Sequence, residues 1–319
     1  MNQKTASFLV ALVLLVSVVL PAARAETSPG LKAQTRTLQS LVDEAARKTL
    51  DKFADKKLEE KQLSITLIDV RDPEHPAQAS FRGNERIYPA SVVKLFYLAA
   101  AQRWLEDKKI EDTPELQRAL EDMIVDSSNE ATQYVVDVLT HTTGGYELPP
   151  KEMAEWREKR NGVNRYFSSL GYTNINVNQK TFCEDAYGRE QVSRGPNGEY
   201  RNKLTTNATA RLMMEIVTGK AVTPARSQQM MRLLQRDPTK KSSDADSQDI
   251  GFSGSALPAG AKFWAKAGWT SVARHDATYI ELPTGERFVL VIFTTEHGAD
   301  HEIIPSLARA VLEGMKNMK

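Results

Sequence analysis

The sequence contains a single cysteine, Cys183, in 319 residues. An intramolecular disulfide is therefore excluded, and stability must come from a packed core rather than covalent staples. Nothing beside Cys183 in the sequence marks it as a nucleophile, so a buried, inert thiol is expected. Charge of one sign is also lacking. The 42 Lys and Arg residues face 41 Asp and Glu residues, a formal net charge of +1, so nucleic acid is not an expected partner. Histidines are few, at 75, 141, 275, 297 and 301. Only His297 and His301 have helical ligand spacing, and they fall outside the H-E-x-x-H pattern. No metal or other cofactor is expected. There is one long apolar run, Phe8 to Leu20, broken only by Ser17. It is shorter than the ~20 residues a spanning helix needs. Lys4 precedes it, and Pro21 and Ala23-Arg24-Ala25 follow, the pattern of a signal peptide cleaved after Ala25. A secreted or periplasmic monomer with no membrane span after cleavage is expected. Loss of Lys4 and Arg24 leaves the mature chain nearly neutral.

The rest is ordinary for a globular protein, with 41% hydrophobic and 26% charged residues. The expected domains are a signal at 1–25, a flexible leader at 26–36 and one catalytic domain at 37–319. Apolar residues at three- and four-residue steps predict a helix from Thr37 to about Phe53. Alternation predicts strands at Leu63–Val70 and Gln78–Phe81, separated by the turn Asp72-Pro-Glu-His-Pro76. Helices are then predicted at Ser91–Glu106, Thr113–Val125, Glu130–Leu139, Asn161–Leu170, Thr205–Thr218 and Ser227–Arg236. Asp237–Asp249 reads as a charged connector. Strands return at Lys262–Ala267, Ala277–Leu282 and Arg287–Thr294, with Pro283-Thr-Gly285 as a hairpin turn, and a helix at His301–Met318 closes the chain. This order predicts an α+β fold: an antiparallel sheet built from both chain ends, with a helical subdomain at about 91–255 inserted.

Three short motifs carry chemistry. Ser91-Val-Val-Lys94 places a hydroxyl and an amine on one face of a helix turn. Serine needs a neighbouring base, and a lysine whose pKa is lowered by burial can be one. Lys94 lies in an otherwise apolar stretch, where a charge either snorkels or serves function. Ser127-Ser128-Asn129 lies between two helices and could be a helix cap or a pair of groups facing one cleft. Lys266-Ala267-Gly268 ends a predicted strand, and its glycine permits close approach to the backbone.

In this order the motifs resemble the Ser-x-x-Lys, Ser-Asp-Asn and Lys-Thr-Gly set of class A β-lactamases and penicillin-binding proteins. The runs Arg86-Ile-Tyr-Pro-Ala-Ser91, Met123-Ile-Val-Asp-Ser-Ser-Asn129 and Leu257-Pro-Ala-Gly260 are similar to the family's approaches to these motifs. The resemblance implies that Ser91 is the acylated nucleophile, that Lys94 takes part in proton transfer, and that Ser127 relays a proton to the leaving nitrogen. It implies that Asn129 positions the substrate amide and that Lys266 helps hold a substrate carboxylate. It further implies an oxyanion hole from the N–H groups of Ser91 and Trp269, and a carboxylate-binding role for Arg274 unless that arginine is simply solvated. The family's deacylating glutamate would be Glu184 or Glu190, which the sequence leaves open.

Four departures matter, two of them single residues: Ser128 replaces an aspartate, and Ala267 removes a hydroxyl expected to bind the substrate carboxylate. The Ser91–Ser127 stretch is shorter than usual, and extra residues fall near Thr140–Arg160 and Phe182–Lys203. The implied function is opening of β-lactam amides through a Ser91 acyl-enzyme, with a β-lactam or a peptidoglycan peptide as small-molecule partner. The alternatives are a D-alanyl-D-alanine peptidase or related amidase or esterase, and a non-catalytic wall-binding or sensor protein.

Overall fold

The computed structural model describes residues 29–318. The expected signal segment lies outside the described residues. The first helix, α1, runs from Pro29 to Lys52. It starts eight residues before Thr37, so the leader expected at 26–36 is helical from Pro29 onward. Gln34, on this extra stretch, donates to Asp69 at 2.9 Å and ties it to the sheet.

The sheet strands are β1 (Leu63–Asp69), β2 (Ala77–Phe81), β3 (Gln235–Arg236), β4 (Lys262–Trp269), β5 (Ala273–Glu281) and β6 (Arg287–Thr295). Their spatial order is β2-β1-β6-β5-β4-β3, antiparallel throughout. N-terminal and C-terminal strands thus pair directly, Leu63 opposite Thr294 and Asp69 opposite Phe288. β1 is buried along its whole length because helices cover both sheet faces.

One face packs against α1 and the closing helix α10 (Ile303–Asn317), through Leu38, Val42, Ile65, Phe263, Leu307 and Val311 among others. On the other face lie α2 (Val93–Glu106), α3 (Pro114–Ile124), α4 (Asn129–Thr140), α5 (Pro150–Arg160), α6 (Gly162–Ser169), α7 (Gly188–Arg194), α8 (Thr206–Val217) and α9 (Pro224–Leu234). Eleven of the fourteen α2 residues are buried. A helix apolar on all sides belongs in a core, and Phe96 meets Phe167 edge-on at 4.9 Å between ring centres. Among the described residues no helix is long and apolar enough to cross a membrane.

Two helices go beyond the sequence expectation, α5 and α7, in or near the stretches Thr140–Arg160 and Phe182–Lys203. Their sequences carry few apolar residues, and α5 buries only Met153, Trp156 and Arg160. An ion cluster holds them. Arg160 makes a two-pronged contact with Glu190 at 2.7 and 2.9 Å and reaches Asp137 at 3.3 Å. Lys180 meets Asp137 at 2.6 Å and Glu190 at 3.4 Å. Two cations and two anions from α4, α5, α7 and an intervening loop balance one another in a buried site, the condition under which burial of charge is tolerated.

Candidate active site

A single 3-10 turn, Ala90–Val92, leads into α2, so Ser91 precedes the α-helix proper and Lys94 lies in its first turn. The turn is pinned from the sheet side. His275 on β5 bonds the Tyr88 carbonyl through Nε2 at 2.9 Å. Burial holds the His275 ring well below its ordinary pKa, at about 4, so the ring is neutral and that Nε2 is the donor. Gly268 on β4 lies directly beneath the turn. A Cβ there would fall 2.7 Å from the Ser91 nitrogen and 2.8 Å from the Val92 nitrogen. The glycine anticipated as an opening for a ligand instead lets the strand approach the backbone of the candidate nucleophile.

Two non-glycine residues here have left-handed backbone: Ala90 with φ 46° and Ser127 with φ 58°. Each such residue costs about 1–3 kcal/mol, and strain of this kind concentrates at functional sites. The fold at Ser127 turns both of its oxygens toward lysines. Lys94 Nζ donates to the Ser127 carbonyl in a short bond and lies 3.3 Å from Ser127 Oγ. It also donates to Asn129 Oδ1 at 2.9 Å. Lys266 Nζ lies 3.0 Å from Ser127 Oγ. Ser128, by contrast, caps α4 by accepting from Ala131 at 3.0 Å. The Ser127-Ser128-Asn129 segment therefore serves as both cap and site, divided residue by residue.

Both lysines are fully buried. Burial lowers Lys94 to about 7, opposed by the neighbouring Cys183 and Glu130. Burial also pushes Lys266 far down, helped by the like charges of Lys94 and Arg236. Among the described residues no protein group bonds the half-buried Ser91 hydroxyl, and Lys94 is one helical turn away.

Other residues hold this arrangement and carry no sequence signal. Gln248 Oε1 accepts from Lys266 at 2.7 Å and from the Ala267 N–H at 3.1 Å. Its Nε2 donates to the Val125 carbonyl at 2.8 Å, while Arg236 donates to the Ile124 carbonyl at 2.7 Å. Together they satisfy the open carbonyls at the α3 C-terminus and fix the loop that carries Ser127.

A family model described as "Beta-lactamase enzyme family" matches residues 105–315. The chain belongs to the beta-lactamase enzyme family. Its fold is similar to a beta-lactamase from Sphaerobacter thermophilus at 18% identity and TM-score 0.63, covering 87% of this chain and 98% of that one. PBP-A is similar at 16% identity and TM-score 0.57, over 91% and 97% of the two chains. A class A beta-lactamase from Bacteroides cellulosilyticus follows at 14%, TM-score 0.61, over 87% and 99%. No curated protein matches the chain.

The remaining family positions are placed differently from the sequence expectation. Ala267 alternates with Lys266 along β4 and packs in the core beneath α1 and α10. Its methyl group is not on the cleft side. Arg274 is buried and committed to the connector, bonding Asp246 at 2.5 Å, the Ala245 carbonyl at 2.8 Å and the Gly251 carbonyl at 2.7 Å. It is neither solvated nor open to a ligand. Glu190 is spent on Arg160 and Lys180, and Glu184 is exposed. Neither carboxylate bonds Lys94, Ser127 or Asn129.

Cys183 corrects the expectation of a buried thiol. It is exposed, donates to Glu130 at 2.8 Å and lies 3.9 Å from Asn129 Nδ2. Its neighbour Phe182 accepts from the same Asn129 amide at 3.2 Å. The segment therefore forms the lip of the cleft. Trp269, at the end of β4, is half-buried with its ring 5.7 Å from Phe252. His297 is taken up by Asp300 at 2.8 Å and Gln62 at 3.1 Å.

Proposed function

We propose that the chain is an exported serine hydrolase that opens β-lactam amides through an acyl-enzyme on Ser91. The observation that carries this is the convergence on Ser127. Lys94 reaches its carbonyl and Lys266 its hydroxyl at 3.0 Å, and Ser91 lies one turn before Lys94. Neutral Lys94 takes the proton as Ser91 Oγ attacks the amide carbon. The N–H groups of Ser91 and Trp269 receive the oxyanion, a role supported by the approach of Gly268 to the Ser91 nitrogen. The C–N bond then breaks, with Ser127 passing a proton to the leaving nitrogen and Lys266 replenishing or orienting it. Asn129 faces the substrate amide. Export rests on the Phe8–Leu20 run and the Ala23-Arg24-Ala25 motif.

A second reading concerns the fate of the ester. No carboxylate among the described residues bonds Lys94, so the group that would activate water for deacylation is not in place. This supports slow release, as in a penicillin-binding peptidase or related amidase. Intact-mass analysis of the protein incubated with penicillin G tests both readings. An adduct of the intact penicillin mass that persists for minutes to hours supports acylation with slow turnover. Rapid loss of substrate without an accumulated adduct favours a fast β-lactamase. No adduct and no turnover, with Ser91→Ala indistinguishable from the wild type, would leave a non-catalytic binding protein.

A further inference from the structure

A second concavity of about 540 Å³ lies apart from Ser91; none of the catalytic candidates borders it, although Arg160, the partner of Glu190, does. It is formed by α5 with the turn into α6 on one side and the 193–200 segment on the other, closed by the Ile175–Gln179 stretch and Arg86. We propose that this concavity binds a sugar acid, a saccharide ring bearing a carboxylate.

The volume suits one or two sugar rings and falls within the usual range of ligand sites. Its lining is rich in side-chain amides that are already organised. Asn164 and Asn178 both donate to Asn161 Oδ1, at 2.8 and 2.9 Å. Asn164 also donates to Asn176 Oδ1 at 2.7 Å, and Gln179 donates to Asn178 at 3.2 Å. The network spends the Asn161 oxygen and leaves that residue's NH₂ group without a protein partner among the described residues. Such fixed amides match hydroxyl groups, which both donate and accept. Tyr200 offers an exposed aromatic ring at the rim, a flat surface for the C–H face of a ring.

The charge of the rim selects an acid. Arg86 and Arg157 are exposed and have no acidic partner among the described residues. Arg157 spends only one nitrogen, on the Val192 carbonyl at 2.9 Å. Near Arg86, Arg201 and Lys203 add positive charge: burial, then the charges of Arg201 and Arg86, lower the Lys203 pKa. Glu199 is the one acidic residue of the lining. A guanidinium group with spare donors is suited to hold a carboxylate in two-pronged fashion, and the lining supplies two.

The stretch that closes this concavity continues into Phe182 and Cys183 at the lip of the catalytic cleft, yet binding does not require Ser91. The test is a heteronuclear NMR titration of the full chain with D-glucuronic acid, D-glucose and sodium sulfate in turn. Expected are shifts at Asn161, Asn164, Asn178 and Tyr200 with glucuronic acid, at least tenfold weaker shifts with glucose, and none specific to these residues with sulfate. Arg86→Gln combined with Arg157→Gln, both exposed positions, should weaken glucuronic acid at least tenfold with an unchanged melting temperature. Ser91→Ala should leave binding unchanged, which separates this outcome from failure of the acylation reading. Equal affinity for glucose and glucuronic acid, an equally strong response to sulfate, or full binding by the double variant would overturn the proposal.

Discussion

At the scale of the residue, the decisive quantity is the protonation of Lys94. Its pKa falls from the usual lysine range to about 7 because the amine is buried. The base form is therefore the minority below that value and the majority above it. If neutral Lys94 takes the serine proton, the second-order rate of Ser91 acylation by a penicillin should rise about tenfold per pH unit below pH 7 and level off above it. Stopped-flow or mass-based acylation rates across pH 5–9 check this, and a flat profile would remove Lys94 from the role of base. The same residue was legible in the sequence because its spacing from Ser91 is local: three residues on a helix share a face whatever the rest of the chain does. Gln248 and His275 were not legible. Gln248 reaches Lys266 across 18 residues and His275 reaches Tyr88 across 187. Neither spacing has a periodicity that sequence reading can detect. Arg274 misled for the same reason, since its position past Lys266 indicates a strand and not which side of the strand the connector will cover.

At the scale of the element, the site depends on β4 lying flush against the 3-10 turn that carries Ser91. The contact is backbone to backbone, so it cannot relax as a flexible side chain would. A methyl group at position 268 would meet the Ser91 and Val92 nitrogens at 2.7 and 2.8 Å and the Pro89 carbonyl at 2.8 Å. Gly268→Ala should therefore destabilise the fold by about 1–3 kcal/mol, the usual cost of overpacking. It should slow acylation by roughly 10²-fold, as expected when a reacting group is displaced by about 1 Å. Denaturant unfolding and acylation kinetics read the two effects separately. Normal acylation in this variant would show that the strand does not set the position of the nucleophile. Most strands and the strongly amphipathic helices are evident from their periodicity, but the helix expected at Ser227–Arg236 ends at Leu234 and gives way to β3, and β5 begins at Ala273, four residues before the expected Ala277. α5 was missed because its apolar residues are too sparse, and its place in the fold is set by Arg160 rather than by an apolar stripe.

At the scale of the whole molecule, the chain is a sheet closed by its own two ends, with a helical layer to which the segments carrying α5 and α7 are joined. The ion cluster of Asp137, Arg160, Lys180 and Glu190 fastens those segments to the layer. Glu190→Ala would leave Arg160, 1% exposed, with Asp137 at 3.3 Å as its one acidic partner among the described residues and the Thr142 hydroxyl at 2.9 Å beside it. Breaking one side of a buried pair costs about 3–5 kcal/mol, so the urea midpoint should fall accordingly. Acylation of the variant that remains folded should persist, because Glu190 is not in contact with Lys94 or Ser127. Loss of acylation without loss of stability would instead return Glu190 to the chemistry.

The thiol at position 183 gives the molecule a built-in reporter. As the chain's one cysteine, and an exposed one, it can carry a maleimide fluorophore at a single defined point on the cleft lip, next to the asparagine that would face a bound antibiotic. The bond from Cys183 to Glu130 raises the thiol pKa, so conjugation should be slow near neutrality and accelerate in Glu130→Gln, as a stopped assay with iodoacetamide would record. Dye emission that changes on adding penicillin, and stays constant in Ser91→Ala, would follow the occupancy of the cleft in real time.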